Sequence, residues 1–158
     1  MASGNKDYKA FVSSTFIDLK DHRAHVISLL RSAGFHVDPM ENWTADGDDP
    51  KKFSQDRLAG CDLCVLLVAF RRGYVPDGEI RSITQLEYDA AIAQGIDVLV
   101  YHLDDNAKWW AKYDEREKDP PLRVWRSSLG KKHGVESFTD DPRTIDMTGS
   151  LGRWFTKK

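Results

Sequence analysis

Consecutive hydroxyl side chains stand near the start of the chain, directly before a segment that is predicted to be helical. They are Ser13, Ser14 and Thr15, and Phe16 follows them. The first amides of a helix have no partners within the helix, so hydroxyls and amides at such a position can together hold a phosphate group. We therefore interpret Ser13 to Phe16 as a candidate nucleotide-binding segment. The same hydroxyls are also typical of helix caps, and this structural alternative stays open.

A second set of candidate side chains surrounds a strongly apolar stretch in the middle of the chain. Arg71 and Arg72 follow this stretch, and a guanidinium can hold a phosphate through two parallel hydrogen bonds. Tyr74 and Trp43 carry rings on which a base can stack. These side chains would complete a nucleotide site, although the sequence has neither a glycine-rich dinucleotide fingerprint nor a Walker loop.

One glutamate, Glu87, stands near the start of a predicted helix. Thr84 precedes it by three residues, which is the spacing of a capping box, where a glutamate bonds to a backbone amide at the helix start. Ser82 and Gln85 form a second, overlapping pair with the same spacing. Spacing alone therefore favours a structural role for Glu87.

The rest of the chain alternates β-prone apolar runs with amphipathic segments. A nearly continuous apolar run at 62–70 is typical of a central strand that is covered on both faces. The predicted strands cover residues 8–13, 35–37, 62–70, 97–103 and 135–138, and the predicted helices cover 19–33, 50–59, 82–94 and 121–129, with a closing helix opened by Asp141 and Pro142.

This alternation predicts a single α/β domain over residues 1–158, with its core at about 8–155. The sheet would be parallel and doubly wound, with about five strands in the flavodoxin or TIR arrangement. Such sheets bind ligands beyond the carboxyl ends of the strands, where the strand order reverses. Three loops are expected at that edge, covering residues 13–18, 38–49 and 71–84.

The composition of the chain argues against some classes of binding partner. The net charge of −2 gives no electrostatic reason for binding nucleic acid or an acidic membrane. No apolar run approaches the roughly 18 residues that span a bilayer, and residues 1–7 hold no hydrophobic signal segment, so we expect a cytoplasmic protein. His22 and His25 are spaced to share a metal on one helix, but no third ligand is apparent, so we predict no metal site and no cofactor.

Three motifs together resemble one family. They read FVSSTFIDL from Phe11, FRRGYVP from Phe70 and SITQLEYDAA from Ser82, in this order along the chain. They resemble an uncharacterised, mostly bacterial TIR-like domain over about residues 8–154. In that family the domain often stands N-terminal to NACHT or other STAND-type ATPase modules and to TPR repeats. The chain departs from the family at Arg72, where an aromatic residue is usual, and this departure argues against a stacking role there.

The resemblance implies an activity and a key residue. The broader group includes TIR domains, some of which cleave the N-glycosidic bond of NAD, and nucleoside deoxyribosyltransferases. Both use a glutamate near the start of a helix that follows a central strand, and Glu87 occupies the matching position. The expected substrate is then NAD or a related nucleotide, in a protein of bacterial immunity or signalling. The main alternative is a non-catalytic module that self-associates or contacts a STAND-type ATPase or TPR module. A weaker alternative is base exchange on a nucleoside, with Glu87 as nucleophile.

Overall fold

A computed structural model describes residues 6–38 and 49–158 of the chain. Within these residues, four strands form one parallel sheet in the order β1-β2-β3-β4. The strands are β1 (Ala10–Ser13), β2 (Leu63–Val68), β3 (Asp97–Leu103) and β4 (Glu136–Phe138), and the helices are α1 (Lys20–Ser32), α2 (Pro50–Leu58), α3 (Ile83–Ala93), α4 (Pro120–Lys132) and α5 (Thr148–Thr156). Short 3₁₀ helices occupy Ala111–Tyr113 and Pro142–Thr144.

The central strand is β2, and its sequence explains its place. All six of its residues are apolar and buried, and it pairs with β1 on one side and with β3 on the other. A strand with apolar side chains on both faces must be covered on both faces. The prediction that the apolar run at 62–70 is the middle of the sheet is confirmed.

Helices cover both faces of the sheet. Val65 and Leu67 of β2 pack on the side that holds the buried residues of α1 and α5, including Leu30 and Trp154. Side chains on the opposite face pack against α2, α3 and α4 in two smaller clusters, which include Leu58, Ala91 and Trp125. The predicted doubly wound, flavodoxin-like α/β fold is therefore confirmed. None of the helices described is both long enough and apolar enough to cross a membrane.

The strand predicted at 35–37 is reduced to a single parallel bridge between Lys9 and His36. Two backbone hydrogen bonds hold it to the edge of β1, from the Ala10 amide to the His36 carbonyl (2.9 Å) and from the His36 amide to the Tyr8 carbonyl (2.8 Å). The chain thus moves to one side of β1 at His36 and to the other side at β2. The strand order reverses between these positions, at the end of β1, as in the flavodoxin arrangement.

The predicted closing helix at Asp141 and Pro142 is wrong in its starting point. Asp141 caps only the 3₁₀ turn Pro142–Thr144, through a bond from the Arg143 amide, and α5 begins at Thr148. Ile145 and Met147 lie between the two, and both are 1% exposed within the core of the α1 and α5 face. Residues two apart lie on nearly opposite sides of a helix, so burial of both in one core is not compatible with a helix that includes them.

Candidate functional site

Ser13 and Glu87 meet at the end of β1. Ser13 is the last residue of β1, and Glu87 lies on the second turn of α3. The Ser13 hydroxyl donates a 2.8 Å hydrogen bond to Oε1 of Glu87, and both residues are fully buried. Two of the three predicted motifs are therefore in direct contact at the position where the strand order reverses.

The capping interpretation of Glu87 is wrong. The N-cap of α3 is Ser82, whose hydroxyl accepts from the Gln85 amide (3.2 Å), while Oε1 of Gln85 accepts from the Ser82 amide (2.9 Å). The overlapping Ser82 and Gln85 pair is thus the capping box. Because the helix start is satisfied without Glu87, its carboxylate is available for contacts outside α3.

Arg57 supplies the counter-charge, and sequence reasoning missed it. Its Nη1 lies 3.0 Å from Oε2 of Glu87, although the angle at this contact is not that of a hydrogen bond. The guanidinium also lies over the rings of Phe11 and Phe53, at 5.1 and 5.2 Å from their centres. Phe53 and Arg57 are four residues apart, on one face of α2. That spacing, followed by Leu58, is the signal that could have marked Arg57 as inward-facing.

Burial dominates the electrostatics of this pair. It raises the pKa of Glu87, and Arg57, Ser13 and Arg23 counteract it only in part. Burial likewise lowers the pKa of Arg57, against the attraction of Glu87. Both shifts have the sign expected when a charged group is removed from water. The two groups therefore depend on each other to remain charged.

The remaining hydroxyls of the first motif point inward. Ser14 donates to the Thr15 carbonyl (2.6 Å) and accepts from Nη1 of Arg23 (3.1 Å), which also donates to the Val12 carbonyl (3.0 Å). Oγ1 of Thr15 is buried with no hydrogen-bond partner among the described residues. The N-cap of α1 is Leu19, with no side-chain cap, so the prediction that the hydroxyls cap this helix is wrong. Phe16 is half-buried beside them.

The two predicted phosphate-binding arginines are held by carboxylates. Arg71 contacts Asp18 (Nη1 to Oδ1, 3.2 Å) and Glu115 (Nε to Oε2, 3.3 Å). Arg72 makes a bidentate pair with Asp119, at 2.7 and 3.0 Å. These ion pairs bind the loop after β2 to the segments before α1 and before α4, so a phosphate would have to compete with them.

The structure describes only one of the two predicted stacking residues. Tyr74 is 70% exposed, and among the described residues only its backbone makes a hydrogen bond, from the Ile83 amide to its carbonyl (2.9 Å). Trp43 lies outside the described residues.

Gly73 brings the loop after β2 directly onto the end of β1. Its φ is +91°, and a Cβ at this position would lie 2.8 Å from Cγ2 of Thr15 and 3.7 Å from Oγ1 of Thr84. Such a φ favours glycine, and the approach leaves no space for a side chain. The loop therefore packs between the first motif, at Thr15, and the start of α3, at Thr84.

His22 and His25, the two histidines whose spacing could allow a shared metal, contact backbone carbonyls instead. Nε2 of His22 lies 2.9 Å from the Thr139 carbonyl, and Nε2 of His25 lies 3.1 Å from the Ile145 carbonyl. Within residues 6–38 and 49–158, no three His, Cys, Asp or Glu side chains cluster as metal ligands.

The geometry defines a class of protein, a doubly wound α/β domain with a buried carboxylate where its strand order reverses. The family described as Domain of unknown function (DUF4062) matches residues 9–147. The chain belongs to this family, as the resemblance to an uncharacterised domain family predicts. No curated protein matches the chain.

Proposed function

We propose that this domain is a TIR-like effector that hydrolyses the N-glycosidic bond of NAD or a related nucleotide, with Glu87 as the catalytic carboxylate. The observation that carries the proposal is the contact between Ser13 and Glu87. It joins a buried carboxylate and a buried hydroxyl at the edge where doubly wound folds bind ligands. Signalling or defence in a bacterium, beside a STAND-type ATPase or TPR module, is the context that this proposal takes from the family resemblance.

Hydrolysis of this bond requires one negative charge close to the ribose. When water replaces nicotinamide on the ribose carbon, the pyridinium takes the bonding electron pair and departs neutral, and positive charge develops on the sugar. A carboxylate removed from water stabilises such a charge more strongly than a solvated one. Glu87 has this environment, because it is fully buried.

A substrate must first gain access to the buried carboxylate of Glu87. Arg57 holds Oε2 of Glu87, and the loop at Gly73 covers the end of β1. A substrate must therefore displace Arg57 from the carboxylate or draw it onto its own phosphates. Either change would leave Glu87 facing the sugar, so binding and activation would be one event.

The test is nicotinamide release from NAD, followed by chromatography, with the purified chain at high concentration and again after clustering on a multivalent scaffold. We expect release by the wild type and a loss of at least about a hundredfold in Glu87→Gln, the size of effect for a preorganised electrostatic group. Glu79→Gln, which makes the same change in the loop after β2, should retain activity.

A folding control and a defined negative outcome complete the test. Circular dichroism and urea unfolding must show that Glu87→Gln is folded. If clustered wild-type protein leaves NAD and a panel of nucleosides intact, the glycohydrolase proposal fails, and so does the weaker proposal of base exchange on a nucleoside.

The second candidate function is a non-catalytic module for self-association or for contact with a STAND-type ATPase or TPR module. Two observations favour it. The Glu87–Arg57 pair is internally neutral, as a structural pair would be. Tyr74 and Ile80 are 70% and 86% exposed on the loop after β2, where apolar side chains suit a protein partner. Light scattering of the wild type and of Ile80→Ser tests it, since a self-associating module should lose mass in the variant.

A further inference from the structure

A cavity of about 940 Å³ opens at the carboxyl end of β3, away from Glu87. This volume falls within the usual range for small-molecule sites. The residues that line it include His102 of β3, Asn106, Lys118, and Arg123, Arg126 and Ser127 of α4.

Arg126 fixes a positive charge at the inner wall of this cavity. Its Nη1 donates to the carbonyls of Val68 (3.0 Å) and Ala69 (2.9 Å), and its Nη2 donates to the carbonyl of Leu103 (2.8 Å). The guanidinium thus bridges the ends of β2 and β3. Among the described residues its acidic partner is Asp105, which contacts it at 3.1 Å through a side chain that is 78% exposed.

Two further cations line the cavity without a charge partner. Lys118 and Arg123 are exposed, and neither makes an ion pair or a side-chain hydrogen bond with the part of the chain that the structure describes. Among the lining carboxylates, Asp105 pairs with Arg126 and Asp114 pairs with Arg116, which leaves only Glu117. Two uncommitted positive charges against one negative charge leave an excess of one positive charge.

His102 adds a polar atom that lacks a partner. Its Nε2 is shielded from solvent and has no hydrogen bond with the described residues. Burial and the neighbouring Arg126 lower the pKa of His102 to about 4, so the ring is neutral near pH 7. Unpaired buried polar atoms are uncommon because they lose water without compensation. Because Nε2 itself is covered, a small rotation of the ring towards a ligand in the cavity would be needed to supply the missing bond.

We propose that this cavity binds a small phosphate-bearing anion, with Lys118 and Arg123 as its charged contacts and Ser127 and His102 as neutral hydrogen-bonding groups. The site uses none of the residues assigned to NAD cleavage. This proposal goes beyond the proposed function, and either of the two can fail without the other.

The experiment is calorimetric titration of the full chain with inorganic pyrophosphate and with AMP, and with adenosine as the uncharged control. We expect saturable binding of both phosphate compounds and none of adenosine. Arg123→Gln should weaken binding about tenfold or more, the effect of losing one charge-assisted contact. Lys131→Gln removes the same charge from the same helix at a residue that does not line this cavity, and it should leave the affinity within about twofold, because it removes no direct contact and exposed charges are screened by salt.

Amide shifts in ¹H–¹⁵N spectra locate the bound anion. We expect pyrophosphate to move the resonances of Asn106, Arg123 and Ser127. Absence of saturable heat with both phosphate compounds overturns the proposal. An equal loss of affinity in Arg123→Gln and Lys131→Gln also overturns it, since that result would indicate general attraction to a basic helix.

Discussion

Nη1 of Arg57 lies 3.0 Å from Oε2 of Glu87, and the exposed fractions of the two side chains are 5% and 0%. Transfer of two opposite charges from water to a protein interior is unfavourable, and their attraction offsets this cost only while both are present. The pair spans α2 and α3 beneath the end of β1. Its removal therefore tests how much of this edge of the sheet depends on it.

We expect Arg57→Met to lower the free energy of unfolding by about 3–5 kcal/mol, because it leaves Glu87 buried without a counter-charge. Urea unfolding at pH 7 measures this, and Lys52→Met on the exposed side of α2 is the matched control. The double variant Arg57→Met/Glu87→Gln should recover part of the loss, since it leaves no buried charge. A loss below about 1 kcal/mol in the single variant would mean that the pair is solvated, as exposed pairs are.

The stability of the wild type should also depend on pH through Glu87. Burial raises the pKa of this carboxyl above its ordinary value of 4.5. Below that value it is protonated in both states and contributes no pH dependence. As the pH rises from 4.5 through the higher pKa of the folded state, the unfolded chain ionises first, so this group progressively favours unfolding.

The measurement is urea unfolding of the wild type and of Glu87→Gln between pH 4 and pH 7. The free energy of unfolding of the variant minus that of the wild type should increase with pH, because the variant has no carboxyl to ionise. Other carboxylates cancel in this difference. A difference that decreases with pH would show that the pKa of Glu87 is lowered in the folded state.

Gly73→Ala should destabilise the loop that covers the end of β1. Gly73 and Gly78 both have positive φ, at +91° and +79°, so alanine costs about 1–2 kcal/mol of backbone strain at either position. Only at Gly73 would the new Cβ meet another side chain, 2.8 Å from Cγ2 of Thr15. We expect Gly73→Ala to be worse than Gly78→Ala by about 1–3 kcal/mol, the cost of overpacking.

Thr15→Ser supplies the diagnostic control for this clash, because it removes Cγ2 and keeps the hydroxyl. In the Thr15→Ser background, Gly73→Ala should approach the cost of Gly78→Ala in urea unfolding. If Gly73→Ala lowers the free energy of unfolding equally in both backgrounds, the clash with Thr15 contributes nothing and the loss comes from the backbone of Gly73.

Ser82→Ala should lower the free energy of unfolding by about 1 kcal/mol, because it removes the N-cap of α3. Gln85→Ala removes the other half of the capping box and should have a smaller effect, since alanine favours the helix. Hydrogen exchange of the Gln85 amide gives a local measurement. Protection that survives in Ser82→Ala would show that this amide has another partner.

The fold could be predicted from sequence because its strongest signals are local. The apolar run of β2 requires cover on both faces, and the capping box at Ser82 and Gln85 positions α3 after it. The contact between Ser13 and Glu87 then follows from topology, since both lie at the same edge of a parallel sheet.

The partners of the charged groups could not be predicted in this way. Arg57 lies on a helix that is mostly polar, with Lys51, Lys52 and Gln55 nearby, and its burial depends on tertiary packing against α3. The sequence predicts Arg72 as a phosphate ligand, yet it pairs with Asp119, which is 47 residues away. Local patterns show which side chains are charged, whereas only the folded chain shows which opposite charge is near.

The shortness of β4 limits how copies of this chain can meet. Its three residues pair with Tyr101–Leu103, and in the described chain residues 97–100 have no strand beside them on that side. The outermost strand offers a template of three residues, too short for another sheet to extend in register. Addition of another strand along β4 is therefore disfavoured, which favours assembly through contacts between side chains at this strand.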